Sequence, residues 1–199
     1  MKFRRRIGGV VRAAALALPA AATAQSVNVT RGIFEDQPYT LIYPGAMVAT
    51  GGGAEPLTIN HPDAPLQCEL TIMPTQTAGW TAQEALEAFD EEAASNDWAK
   101  VFAGFSITGS SVRPYQNGEA LVYEGESEDS PMDVPITLVH AETVEANRGY
   151  LLDCFYATEV AGNARPLVDF IIANFSTRSD ADCCIGAQPT EEPLVPTPQ

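Results

Sequence analysis

The alternation of apolar and polar residues predicts a chain built largely of β-strands. The stretch 66–73 alternates strictly, with Cys68, Leu70 and Ile72 on one side, a pattern typical of a strand with one buried face. The segment 51–65 that precedes it holds three consecutive glycines and three prolines, which predict a surface loop. Earlier strands are predicted at 26–31, 39–43 and 46–48.

A helical period interrupts the strands between Trp80 and Trp98. Thr81 and Glu84 have the spacing of a capping box, in which the threonine hydroxyl accepts the backbone N–H of the glutamate. Apolar residues then recur every three or four positions, opposite a face rich in acids. The pattern predicts one long amphipathic helix lying on the sheet. Its apolar face would hold Ala82, Ala85, Leu86, Phe89 and Ala93.

The second half of the chain predicts a four-stranded antiparallel meander and a closing helix. Asn117-Gly118 favours a type I′ hairpin, because both residues tolerate a positive φ, and Asn147-Arg148-Gly149 marks another turn. Pro166 is expected in the first turn of the closing helix, where its missing N–H costs little. The strands are predicted at 105–115, 119–128, 134–146 and 150–160, and the apolar helix face at Leu167, Phe170, Ile171, Asn174 and Phe175.

The N-terminus has the pattern of an export signal. A basic start at 2–6 precedes a short apolar stretch at 7–22, and Ala22-Thr23-Ala24 predicts cleavage before Gln25. The apolar stretch is interrupted and too short for a membrane span, so none is expected after cleavage. We therefore expect a periplasmic or secreted protein of the Gram-negative type. The predicted parts are a signal peptide at 1–24, one domain at 25–179 and a flexible Pro/Glu-rich tail at 180–199.

Charge narrows the choice of partners. The predicted mature chain keeps six of the 11 Lys and Arg and all 26 Asp and Glu, which gives a net charge of −20. Such a surface repels nucleic acid and anionic lipid headgroups, so we expect neither as a partner. The excess of acids is typical of a highly soluble protein.

Four cysteines are expected to be oxidised in an exported protein. They are Cys68, Cys154 and the adjacent pair Cys183 and Cys184, and they allow three connectivities. Cys68 bonds to Cys154 and leaves a neighbouring pair, or each cysteine of the tail bonds to one cysteine of the core. A zinc site at the Cys-Cys step is disfavoured, because no further Cys or His lies near it in the sequence.

The sequence holds no established catalytic signature. Residues 104–109 approach a nucleophile elbow but are one residue too long, and zinc-protease, phosphate-loop and dinucleotide motifs are absent. His61 lies in the predicted loop and is expected to be solvated, whereas His140 alternates with Ile136 and Leu138 and is expected in or beside the core. The alternative to a non-catalytic protein is a hydrolase or cation-dependent enzyme that uses one of these histidines with nearby carboxylates.

Those carboxylates are concentrated at Glu124, Glu126, Glu128, Asp129 and Asp133. Alternate residues of a strand share a face, so the three glutamates would place like charges ~7 Å apart. A solvated acidic edge that discourages strand addition is favoured over a Ca²⁺ site, because the loop pattern of a dedicated calcium site is missing. No other cofactor is expected.

The order of predicted elements, β-β-(β)-β-α-β-β-β-β-α, resembles the Mog1/PsbP-like family of small exported or organellar accessory domains. The resemblance is carried by Tyr43-Pro44-Gly45, the helix at 81, the meander and Phe-Ile-Ile-Ala-Asn-Phe at 170–175. The family's closing helix usually runs into a Ser-Phe step, here Asn174-Phe175, and the Cys-Cys tail is an addition.

The resemblance implies an α+β fold in which a central antiparallel sheet is flanked by helices on both faces. It also implies a non-catalytic accessory role through contact with another protein. The acidic edge around Glu124 and the loop at 51–65 are the two expected contact surfaces.

Overall fold

A seven-stranded antiparallel sheet runs through the computed structural model, which describes residues 29–33, 39–52, 55–75 and 79–180. The strands are β1 (Val29–Ile33), β2 (Thr40–Pro44), β3 (Val48–Gly51), β4 (Leu57–Asn60), β5 (Leu66–Pro74), β6 (Ser106–Tyr115), β7 (Gly118–Ser127), β8 (Ile136–Glu145), β9 (Arg148–Ala157) and β10 (Phe175–Ser176). The helices are α1 (Ala82–Glu87), α2 (Glu91–Trp98) and α3 (Ala161–Ala173), the last preceded by one 3-10 turn at Thr158–Val160.

The strand order in the large sheet is β3-β4-β5-β9-β8-β7-β6. Strands β6 to β9 are sequential neighbours, which confirms the predicted meander. Strand β5 pairs with β9 over its whole length, from Leu66 opposite Tyr156 to Pro74 opposite Arg148. This pairing joins the first half of the chain to the second.

In a single central sheet, the first two strands would pair with the others. Instead, they do not join the large sheet. Strand β2 pairs with β1 on one side and with β10 on the other, forming a separate three-stranded sheet. The physical reason is at the end of helix α3, where Phe175 leaves the helix and pairs with Leu41. Phe175 was expected on the helix, and its aromatic ring is instead buried with those of Tyr115 and Tyr150.

The main core lies on one face of the large sheet, here named the back face. Helix α3 and strand β2 cover it, and the buried side chains come from alternate positions of the strands. Together with the apolar face of α3, they form a core that includes Leu41, Ile59, Cys68, Val139 and Ile171, all fully buried.

The opposite face, named the front face, carries helices α1 and α2 over strands β6 to β8. The prediction of one long helix at 81–98 is wrong. Thr81 caps α1 through the N–H of Glu84, as predicted, but a second cap follows at Asp90, whose carboxylate accepts the N–H of Ala93 at 2.9 Å. Asp90 has an extended backbone, so the helix ends and restarts there. The break turns Phe89 towards the ring of Tyr123.

The β6–β7 and β8–β9 hairpins differ from the sequence prediction in their turns. Asn117 and Gly118 both lack a positive φ. Asn117 instead accepts hydrogen bonds from Ser176 Oγ and Thr177 N, so contacts with the end of the chain set this turn. The left-handed pair lies in the β8–β9 hairpin, where Ala146 and Asn147 have φ values of 49° and 61°, as a type I′ turn requires.

Two further boundaries are corrected. The segment 51–65 is not one loop, because Thr50 and Thr58 pair in a hairpin between β3 and β4. Pro166 is the sixth residue of α3 and not part of its first turn. Val160 and Ala164 are buried, so the additional N-terminal residues of the helix pack on the core.

A disulfide joins Cys68 to Cys154, directly opposite each other on β5 and β9, with 4.0 Å between their Cα atoms. This is the first of the connectivities that the sequence leaves open. Cys183 and Cys184, the predicted signal peptide at 1–24 and the tail beyond Asp180 lie outside the described residues. Within the described ranges, no helix has both the length and the apolar character to cross a membrane.

Candidate functional site

Part of the front face is left uncovered by helices α1 and α2. On strands β4 and β5 the apolar residues point to the back face, so the intervening polar residues point to the front. Their side chains are partly exposed. We call this surface the open face; it consists of Thr58, Asn60, Gln67, Glu69 and Thr71.

His140 lies between the open face and the helices. Register pairs Tyr123, His140, Asp153 and Glu69 in one row across strands β7, β8, β9 and β5. His140 Nδ1 is 2.6 Å from Asp153 Oδ1, and its Nε2 is 3.6 Å from Glu142 Oε2. Both ring nitrogens therefore face a carboxylate.

Aromatic side chains close the other side of the imidazole. The ring of Tyr123 is stacked on that of His140, with 4.4 Å between their centroids. Trp98 Nε1 donates a hydrogen bond of 2.8 Å to the hydroxyl of Tyr123, and Phe89 stacks on the far side of the tyrosine. Helices α1 and α2 thus hold His140 through Tyr123 and Trp98, and the aromatic cover extends as far as Phe155 on β9.

The surroundings of His140 favour its charged form. Burial alone would lower the pKa of this imidazole, but the carboxylates of Asp153 and Glu142 outweigh burial and raise the pKa to about 9. At neutral pH the side chain is an imidazolium cation. A general base must accept a proton, which this group cannot do at neutral pH. The raised pKa therefore disfavours a hydrolase that uses His140 as its base at neutral pH.

His61 lies elsewhere. It follows strand β4, and its Nδ1 accepts the backbone N–H of Asp63 at 3.2 Å. Strands β4 and β8 are three steps apart in the sheet, roughly 14 Å at the usual strand spacing. The two histidines of the sequence do not form one site.

The acidic group from 124 to 133 is divided between different surroundings. Glu124 forms ion pairs with Arg113, at 2.8 Å, and with both terminal nitrogens of Arg165 on helix α3. Asp169 completes this network by pairing with the same two arginines at 2.8 Å. Glu124 therefore links β7 to β6 and α3, and its charge is already compensated by protein cations.

The other four acids are exposed and do not converge with Glu124. Strand β7 ends at Ser127, so the predicted row of three glutamates is shortened and Glu128 lies in the following loop. Asp129 forms an isolated β-bridge to Ala103. Among the described residues, which include all five acids, no group of three or more His, Cys, Asp or Glu is placed to hold a metal ion.

Sequence reasoning did not identify Asp153 and Glu142 as neighbours of His140, or Glu69 as the residue opposite Asp153. A signal was present in the alternation of strand β9, where Asp153 falls between Leu152 and Cys154 on the less buried face. Placing Asp153 opposite His140 requires the hairpin register, which is determined by the turn at 146–147.

Comparison with known proteins adds no relative at the level of sequence. No protein-family model matches the chain, and no curated protein sequence is significantly similar to it.

Solved structures, in contrast, include proteins with a similar fold. The Ran-binding protein Mog1p of Saccharomyces cerevisiae has a TM-score of 0.51 and 8% identity, over 76% of this chain and 96% of that one. A Bacteroides thetaiotaomicron protein has a TM-score of 0.50 and 11% identity over 71% of this chain; the match covers 46% of that protein, so this chain spans about half its length.

The cyanobacterial PsbP of Synechocystis has a TM-score of 0.49 and 16% identity, over 80% of this chain and 98% of that one. At these identities the likeness concerns the fold. The antiparallel sheet with its few helices confirms the architecture that the order of elements predicts. The chain has the Mog1/PsbP-like α+β fold.

Proposed function

We propose that this protein is an exported, non-catalytic accessory protein that acts by contacting another protein through the open face. The observation that carries the proposal is the incomplete cover of the front face among the described residues: the aromatic cover reaches Phe155 on β9, and the polar side chains of β5 and β4 continue the same face beyond it. Partly exposed polar side chains beside a buried ion pair offer hydrogen-bond partners to a second protein.

Export is supported by two independent features. The first 24 residues have the composition of a cleavable signal. The Cys68–Cys154 disulfide lies in the core, and disulfides persist in compartments that are oxidising. The periplasm or the cell exterior would meet both conditions.

Protein contact is also consistent with the use of the same fold elsewhere. The yeast protein Mog1p, which has the fold, is a Ran-binding protein and therefore binds another protein. Fold alone does not determine function, so the proposal for this chain rests on its own open face.

The test is site-specific crosslinking in cells that produce the protein. A photo-crosslinking amino acid at Gln67, in the middle of the open face, should give a covalent adduct with one partner protein. The same amino acid at Glu159, exposed near the start of α3, is the control and should give none.

A charge reversal identifies the surface. Glu69→Lys should remove the adduct at Gln67 while leaving the melting temperature within a few degrees of the wild type, because Glu69 is partly exposed and a lysine can pair with Asp153 opposite. No adduct at Gln67, or equal adducts at Gln67 and Glu159, would contradict the proposal.

A further inference from the structure

We propose that a second surface of this protein docks a basic segment of a partner protein that carries an apolar anchor. We call this surface the corner patch; it consists of Val101, Ala103, Pro131 and Met132, all exposed. The inference rests on the proposed function, since it takes the protein to act by binding another protein, but it concerns a different part of the molecule from the open face.

Two loops meet at the corner patch. Ala103, which follows helix α2, forms an antiparallel β-bridge with Asp129, which follows strand β7. Ser127 Oγ lies 2.7 Å from the carbonyl oxygen of Ala103 and accepts the N–H of Asp129 at 3.1 Å. Val101 lies two residues before Ala103 and Met132 three residues after Asp129, so the bridge brings the two segments that carry them to one end of the molecule.

The patch contains apolar surface that the fold does not use. Val101 is 55% exposed and Met132 is 50% exposed, although both are large hydrophobic residues. Only four such residues are exposed in the part of the chain that the structure describes, and the other two are Val48 and Met73 on other strands. Removing apolar surface from water on docking is favourable, and exposed apolar side chains can serve as anchor points.

The surroundings of the patch determine the charge of its partner. Glu126, Glu128, Asp129 and Asp133 are all exposed, and none of them forms an ion pair with another described residue. The nearest basic residue in sequence, Lys100, is already paired with Asp97 at 2.6 Å. An uncompensated rim of carboxylates attracts a cationic partner and repels an anionic one. An apolar centre with a charged rim has the layout of a protein interface.

The loop that bears Met132 is held before any partner binds. Ser130 Oγ donates to the carbonyl of Val134 at 2.6 Å and accepts the N–H of Met132 at 3.2 Å. Asp133 has a φ of 57°, a left-handed conformation that is uncommon outside glycine and is maintained by the N–H of Asp133 bonding to the carbonyl of Ser130. A surface that is ordered in advance loses less conformational entropy on binding.

The experiment uses two synthetic peptides of equal length and charge and the full mature chain. In one peptide lysines are interspersed with leucines, and in the other serines replace the leucines. Binding is followed by amide chemical shifts and by titration calorimetry. The leucine peptide should bind about tenfold more tightly than the serine peptide. Its shifts should be concentrated at 100–104 and 127–134, and its affinity should fall with added salt.

Matched variants separate the corner patch from general attraction to an acidic protein. Val101→Ser together with Met132→Ser should reduce the affinity for the leucine peptide about tenfold, whereas Val48→Ser, equally exposed at 55% on the opposite sheet edge, should not change it. Glu128→Gln with Asp133→Asn should weaken both peptides, and Glu159→Gln should weaken neither.

Equal affinity for the two peptides, or shifts spread over the whole surface, would overturn the inference. Shifts confined to the open face would overturn it as well. Neither result affects the crosslink expected at Gln67, so failure of the corner patch and failure of the proposed function give different outcomes.

Discussion

His140 shows how one residue can combine burial with charge. Its ring lies between the aromatic ring of Tyr123 and the carboxylates of Asp153 and Glu142. A buried charge is tolerated when it is paired and hydrogen bonded, and His140 meets this condition through Asp153 on the neighbouring strand β9. Glu142 of its own strand is a second carboxylate, 3.6 Å from Nε2. The imidazolium thereby fastens β8 to β9 on the front face, against the rings of Tyr123 and Trp98.

Protein stability should therefore fall as the pH rises through the range where His140 loses its proton. The pKa is raised from 6.5 to about 9 in the folded state, so the contribution is complete below the lower value and is lost above the higher one. A shift of this size corresponds to a loss of about 3 kcal/mol in the free energy of unfolding. Urea unfolding across this pH range measures it.

Two variants serve as controls for this pH dependence. His61→Ala should keep the slope, because His61 is remote from the pair, and His140→Gln should lack it. Buried Tyr39 and Tyr123, whose pKa values are raised by burial to about 12, would lower stability only at higher pH. A free energy that stays constant in the wild type from neutral pH to about pH 9 would contradict this account of His140.

His140 also shows where prediction from the sequence ends. The place of His140 in a strand and beside the core follows from its alternation with apolar neighbours. Its charge does not, because Asp153 is 13 positions away and becomes its neighbour only through the β8–β9 register. Glu124 is a similar case, since Arg165 reaches it from helix α3, 41 positions later.

The front face carries two short helices because the helical segment from 81 to 98 is interrupted before Asp90. Thr81 and Asp90 each cap a short helix, so the segment from 81 to 98 contains two N-termini instead of one. Phe89, between the two helices, packs on Tyr123, and Trp98 at the end of α2 packs on Phe102 and Phe155. The break thus allows both helices to direct aromatic rings onto the sheet.

Replacement of Asp90 distinguishes two short helices from one long helix. If Asp90 caps α2, Asp90→Ala removes the hydrogen bond to Ala93 and should lower the free energy of unfolding by about 1 kcal/mol. Within a continuous helix, the same change would raise stability by several tenths of a kcal/mol, because alanine has the higher helix propensity. Thermal and urea unfolding give the sign. Glu87→Ala, exposed near the end of α1, is the matched control and should be nearly neutral.

Strands were easier to predict than turns and helix ends. The meander follows from alternation and turn residues, because period-two patterns survive wherever one face is buried. The prediction of a type I′ turn at Asn117-Gly118 was wrong because the side chain of Asn117 bonds to Ser176 and Thr177. Such distant contacts override local turn preference. The start of α3 was placed too late because proline is normally disfavoured inside a helix, whereas here the packing of Val160 and Ala164 on the core extends the helix ahead of Pro166.

The Cys68–Cys154 bond connects the two halves of the large sheet. Strands β3 to β5 come from the first half of the chain and the meander from the second, and they meet only at the β5–β9 pairing. The fold class could be predicted from the order of elements. The three-stranded sheet could not, since it requires β10 to return to β2 after helix α3.

Loss of the disulfide should destabilise the entire fold. The two cysteines are 86 positions apart, and closing a loop of that length restricts the unfolded chain by about 4–5 kcal/mol in the chain-entropy description. The Cys68→Ala and Cys154→Ala double variant should unfold at lower urea concentration by a corresponding amount. Ala141→Gly, which also removes a buried methyl group, should cost much less and controls for lost packing. Equal stability of the double variant and the wild type would show that the bond is dispensable.

The same bond also determines the products of proteolytic cleavage. Residues 68 to 154 form a covalent ring that includes helices α1 and α2, three complete strands and the loops of the corner patch. A single cut anywhere inside the ring opens it but releases nothing, and the strands on either side of the cut stay paired in the sheet. In a compartment that contains proteases, nicked molecules would migrate as intact protein on a gel until a reductant is added, and they would keep the open face.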